Sequence, residues 1–234
     1  MRQYDAVRLV APDPPRLGRI DGLAYALFEP PGGPASAGVV VLHGAGSVKE
    51  SHYDFARQLR AAGLAAACFD QRGHGESEGA LGEGAIEDVA TIRTLLPGGP
   101  VGLRGSSMGG WLALCAAAHV RANAVVAICP ATSDGLLRGL RLGSFDFRAD
   151  RPGLDRLLAV NDPEVAAREL GERLLLLHAE GDETVPVEVS RQLHAVAPGS
   201  RLVVTPGGHH RSVQHDPELQ AYAARFLVRA MQVR

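Results

Sequence analysis

Short apolar runs alternate with segments of helical spacing through most of this 234-residue chain. Val39–Leu42 is unbroken apolar and precedes Tyr53–Ala62, whose apolar positions recur with a helical period. The pattern repeats as Ala65–Phe69 then Ile86–Leu96, Val101–Leu103 then Met108–Ala118, and Ala124–Cys129. After a break it resumes with Leu174–Leu177, Val189–Val196, Leu202–Val204 and Leu219–Ala230. Strands without polar alternation are covered on both faces, and strands joined through helices run parallel. The expected class is therefore α/β, a mostly parallel sheet with helices on both faces. An N-terminal strand and Leu23–Phe28, read as an edge strand, come first and stop at the turn cluster Pro30-Pro31-Gly32-Gly33-Pro34.

The chain reads as one domain, with no repeats, linker or low-complexity tract. The break from about Ala131 to Gly171 is expected to be a small lid over the strand ends. A net charge of −2 gives no global electrostatic case for binding nucleic acid or an anionic membrane. Met1-Arg2-Gln3-Tyr4-Asp5 carries no apolar signal core, and no segment reaches the ~18–20 apolar residues of a membrane span, which points to the cytoplasm. Cys68, Cys115 and Cys129 each lie in an apolar element without metal-like spacing and read as reduced core cysteines. Of the 24 basic residues only Lys49 is a lysine.

In a parallel sheet, chemistry gathers at the carboxyl ends of the strands. The most pointed stretch there is Gly105-Ser106-Ser107-Met108-Gly109-Gly110, set between a strand and a helix. A sharp turn at this place lifts the Ser107 hydroxyl out of the sheet, and the helix N-terminus favours negative charge beside it. Ser106 and Trp111 read as structural. His43-Gly44-Ala45-Gly46 follows the first parallel strand, so the Ala45 and Met108 amides are candidates for two donors to an oxyanion. His43 reads as shaping that loop. Asp70-Gln71-Arg72-Gly73-His74-Gly75-Glu76-Ser77 follows the next strand; Asp70 and Arg72 are expected to form a buried ion pair, and His74 competes for the role of base. Asp182, with Glu180 and Glu183 as competitors, sits where a carboxylate can orient an imidazole. Pro206-Gly207-Gly208-His209-His210 presents a histidine pair, of which His210 is the preferred base.

The order Ser107, Asp182, His210, with these loops, resembles the α/β-hydrolases across nearly the whole chain, in particular small bacterial esterases and serine-aminopeptidase-like hydrolases. The resemblance implies an α/β-hydrolase fold with a small lid at about 131–171 and a hydrolase that works without a cofactor or metal. It further implies Ser107 as nucleophile, His210 as base, Asp182 as its carboxylate, and attack on a small-molecule carboxylic ester. Leu136, Leu140 and Phe145 in the lid are candidates for an acyl-binding wall; the other reading is that they cover the core. A peptidase, thioesterase or acyltransferase on the same three residues, or a non-catalytic binding protein, is the alternative. A peptidase would use lid acids among Asp134, Asp146, Asp150 and Asp155 to hold a free amine. Pattern alone assigns no oligomeric state.

Overall fold

The computed structural model describes residues 13–232. Met1–Asp5, read for a signal core, lies outside them. The described residues form one eight-stranded sheet in the order β1-β2-β4-β3-β5-β6-β7-β8. The strands are β1 (Arg16–Ile20), β2 (Leu23–Phe28), β3 (Gly38–Leu42), β4 (Ala65–Phe69), β5 (Val101–Ser106), β6 (Ala124–Ile128), β7 (Leu174–Ala179) and β8 (Arg201–Thr205). From β4 to β8 all neighbours are parallel; β2 runs antiparallel to both β1 and β4. No helix among the described residues is long and apolar enough to cross a membrane.

Alternation along the strands assigns side chains to two cores. Val40, Leu42, Leu174 and Leu176 pack on one face, whereas Val39, Val41, Leu175 and Leu177 pack on the other. The second face is closed by α1 (Tyr53–Ala61), through Phe55 and Leu59, and by the C-terminal helix Pro217–Ala230, through Phe226 and Leu227. The first face is closed by α2 (Ala85–Arg93) and α3 (Met108–Ala116). With apolar layers on both sides, polar alternation would bury unpaired groups, which is why these strands read as continuous apolar runs.

Leu23–Phe28 is not the edge. Its six residues are all buried, and β1 shields it through a hairpin. The hairpin turns at Asp21-Gly22, with φ of 47° and 78°, the left-handed pair that a tight two-residue turn requires. That Asp-Gly signal was present in the sequence.

The strandless break is helical. It holds α4 (Ser133–Arg141), α5 (Arg151–Val160) and α6 (Pro163–Leu170). Thr132, Asp150 and Asp162 cap them by accepting bonds from Gly135, Gly153 and Glu164 amides. α6 packs on α3 and on α7 (Glu188–Val196), as a layer helix does, whereas α4 and α5 pack on each other. The chain then runs through α8 (Ser212–His215) into α9 (Pro217–Ala230).

Candidate active site

Ser107 joins β5 to α3 at φ 55° and ψ −121°, a conformation that costs a non-glycine residue on the order of 1–3 kcal/mol. Backbone bonds hold it there. Its N–H donates to Ile128 O (2.9 Å), and its own carbonyl accepts from Gly110, Trp111 and Ala131 amides at 2.9, 3.1 and 3.1 Å. The glycines have a packing reason. A Cβ on Gly109 would lie 2.5 Å from the carbonyl oxygens of Leu42 and His43, and one on Gly105 would collide with the Gly109 carbonyl. Helix and strand therefore approach only because both positions lack a side chain.

Behind Ser107 passes the loop after β3. A Cβ at Gly44 would come within 3.2 Å of the Ser107 Cβ. Neither the Ala45 nor the Met108 amide has a backbone or side-chain acceptor among the described residues. Ala45, Ser107 and His210 line one cleft of about 130 Å³. The Met108 side chain points away from it into the apolar layer beneath α4 and α5.

Asp182 follows β7. Its Oδ1 accepts bonds from the Thr184 and Val185 amides (2.8 and 2.9 Å), and its Oδ2 accepts from His210 Nδ1 (2.6 Å). Burial alone would raise its pKa; the Val185 amide and His210 outweigh that and hold the carboxyl below its ordinary value. The competitors point elsewhere. Glu180 pairs with Arg191 at 3.2 Å on the surface, and Glu183 is exposed. His209 is also exposed and its ring accepts only the Arg211 amide, so the fold brings His210, not His209, to the acid. Arg104, fully buried, donates to Gln214 O (3.1 Å) and so ties α8, just after His210, to β5 beside Ser107.

Sequence reasoning gave no role to His178, Ser190 or Gln71. His178 Nε2 donates to Val185 O (2.9 Å) and its Nδ1 accepts from Ser190 (2.7 Å), so a neutral ring backs the loop that carries Asp182. Gln71 brackets His43: its amide donates to His43 Nε2 (3.0 Å) and its side chain to His43 O (2.6 Å). The signal available was position alone: His178 near the end of β7, Gln71 two residues past β4, and Ser190 in the first turn of α7.

The expected Asp70–Arg72 pair does not form. Asp70 is bound by Lys49, from Nζ at 2.9 Å and from the backbone amide at 2.7 Å, whereas Arg72 reaches Asp88 at 3.0 Å. Asp70 faces inward from the strand end and meets the loop after β3; Arg72, two residues on, has already turned out toward α2. Lys49 also holds Glu76 at 2.7 Å, so the lone lysine ties together the two loops behind Ser107.

His74 does not line the Ser107 cleft. Its ring lies between His43 and Phe147, stacked on the latter at 4.4 Å. Burial, with repulsion from His74, lowers the His43 pKa from 6.5 to about 4. A depressed histidine stays neutral in the fold, so the unfolded chain binds more protons between pH 6.5 and 4. Stability from this ring is complete above pH 6.5 and is lost as the pH falls to about 4. The expected loss is roughly 3 kcal/mol. Denaturant midpoints across that window should fall steeply in the wild type and less in His43→Asn.

Leu136, Leu140 and Phe145 come together with Met108, Trp111 and Leu154 around an apolar space of only about 10 Å³. Leu136 and Leu140 are buried and join the core on that face.

A family model described as serine aminopeptidase, S33, matches residues 33–142, from before β3 to the end of α4. Human monoglyceride lipase is 33% identical over 117 residues; the match spans 46% of this chain and 39% of that protein. A monoacylglycerol lipase of Paleococcus ferrophilus superposes with a TM-score of 0.70 at 22% identity, covering 89% of this chain and 99% of that one. Est1E of Butyrivibrio proteoclasticus, solved with ferulic acid bound, superposes with a TM-score of 0.75 at 19% identity, covering 94% and 100%. The topology is that of the α/β-hydrolase fold, and over residues 33–142 the sequence is similar to the serine aminopeptidase family.

Proposed function

We propose that this protein is a serine hydrolase that cleaves small carboxylic esters of short to medium acyl chain through an acyl-serine. One observation carries the reading: Ser107, held at a strained strand-to-helix turn, shares a cleft with His210, whose far nitrogen is bound by Asp182. Ser107 attacks the ester carbonyl and His210 takes its proton, later giving it to the leaving alcohol. Asp182 fixes the imidazole tautomer with its proton on Nδ1 and stabilises the imidazolium. The free amides of Ala45 and Met108 receive the oxyanion. Water then releases the acid by the same steps. No residue set in this scheme requires a cofactor.

The ester reading is favoured over a peptidase because none of Asp134, Asp146, Asp150 and Asp155 lines the cleft, and Asp150 is occupied in capping α5. The match to monoglyceride lipase supports it from the side of sequence. Leu136, Leu140 and Phe145 form the acyl wall in this scheme. Because the space beside them is nearly filled, longer chains must displace α4 and α5. Turnover of p-nitrophenyl esters should therefore peak between acetate and octanoate and fall toward laurate. Leu140→Ala should move the peak to longer chains, at about 2–3 kcal/mol of stability. Absence of both turnover and fluorophosphonate labelling would overturn the hydrolase reading; a peak unmoved by Leu140→Ala would remove the wall.

A further inference from the structure

β6 ends at Ile128, and Cys129 beyond it takes φ 43°, in the left-handed region, ahead of Pro130. That turn carries its thiol to the Asp182–His210 pair. The Cys129 sulfur, an Asp182 carboxylate oxygen and a His210 ring nitrogen lie within 4.8 Å of one another. Cys129 and Asp182 are buried, whereas His210 opens onto the cleft. The other cysteines lie apart: Cys68 approaches His52 O, and Cys115 lines a groove on the outer face of α3.

We infer that Cys129, Asp182 and His210 form an inhibitory site for a thiophilic divalent cation of the zinc and cadmium class. Thiolate, imidazole and carboxylate are the donors such ions select. Bond lengths of about 2.0–2.3 Å at a tetrahedral centre place donors roughly 3.3–3.6 Å apart. His210 Nδ1 and Asp182 Oδ2, now at 2.6 Å, must separate by less than an ångström, and the sulfur starts within 4.8 Å of both carboxylate and ring. Gly207 and Gly208, with φ of 64° and 77°, lead into His210 and give that loop the freedom to move. The fourth position faces the cleft and takes water.

Cys129 gives its thiol proton to solvent as sulfur binds the cation. The imidazole stays neutral, but the cation occupies the Nδ1 lone pair, so the proton there moves to Nε2. A protonated Nε2 cannot accept a proton from Ser107. The cation therefore acts by imposing the wrong tautomer, without touching the serine. Binding rests on the three side chains alone; only the inhibition rests on the proposed function.

The test is a cadmium titration followed by the ultraviolet thiolate-to-cadmium band, with ester hydrolysis measured in parallel. Wild type and Ser107→Ala should each show the band at one cation per chain. Cys129→Ala, and Cys129→Ser as the size-preserving variant, should lack it. Relative to its own metal-free rate, each Cys129 variant should need ~10–100-fold more cadmium or zinc for half inhibition. Chelator should restore the wild type. A band that persists in both Cys129 variants, or equal inhibition of variant and wild type, overturns the site. A protein that turns over no ester but shows the Cys129-dependent band keeps the site and loses the hydrolase reading.

Discussion

Ser107→Ala is expected to reduce ester turnover by about 10⁴–10⁶-fold while leaving the fold intact. Every bond that holds the turn is made by the Ser107 backbone, so alanine keeps the geometry and removes only the hydroxyl. The residual rate would come from the Ala45 and Met108 amides and from substrate positioning, which outlast loss of the nucleophile. Single-turnover kinetics and fluorophosphonate labelling check it together, with thermal unfolding as the control for folding. Retained turnover in Ser107→Ala, with loss in Ser106→Ala, would shift the nucleophile one residue back onto β5.

Lys49→Met should be the most destabilising single change outside the apolar cores. Lys49 is 2% exposed and Asp70 0%, so the pair is removed from water on both sides. Burial works against the ammonium, but the bonds from Glu76 and Asp70 outweigh it and hold its pKa above the ordinary value. Methionine fills the same space and leaves the Asp70 carboxylate with amide donors but no cation. Stranding a buried charge costs about 3–5 kcal/mol. In a domain of this size that lowers Tm by roughly 10 °C. Asp70→Asn added to Lys49→Met should recover part of the loss, since the stranded charge is then gone. An unchanged Tm in the single variant would show that the two loops behind Ser107 do not depend on this pair.

Those two residues also mark where sequence reading stops. The parallel strands were legible because both faces are covered, and Val39–Leu42 and Leu174–Leu177 say so in their composition. Asp182 and His210 were legible as a pair because each follows a strand in the order the fold uses, and the structure joins them at 2.6 Å. Asp70 was matched to the wrong cation because its partner lies 21 residues upstream, beyond the reach of spacing. In sequence β2 reads as an edge, although the Asp21-Gly22 turn implies the strand that lies outside it. Cys129 looked like a core cysteine, and it is buried; only the turn after β6 shows what it is buried against. Leu136 and Leu140 admit two readings in sequence, and their packing supplies the cover for the core.

Among the described residues the sheet ends at β1 and β8, and both margins carry arginine. Arg16 and Arg19 lie on β1, and Arg201 opens β8. Free strand edges are templates for pairing with another chain, and charge along them is a common guard. Two copies meeting margin to margin would have to bury or part these arginines and the carboxylates of Glu29 and Glu78 beside them before backbone bonds could form. A sheet whose inner strands are almost wholly apolar thus has its hydrated charge at the places where it would otherwise continue into a neighbour.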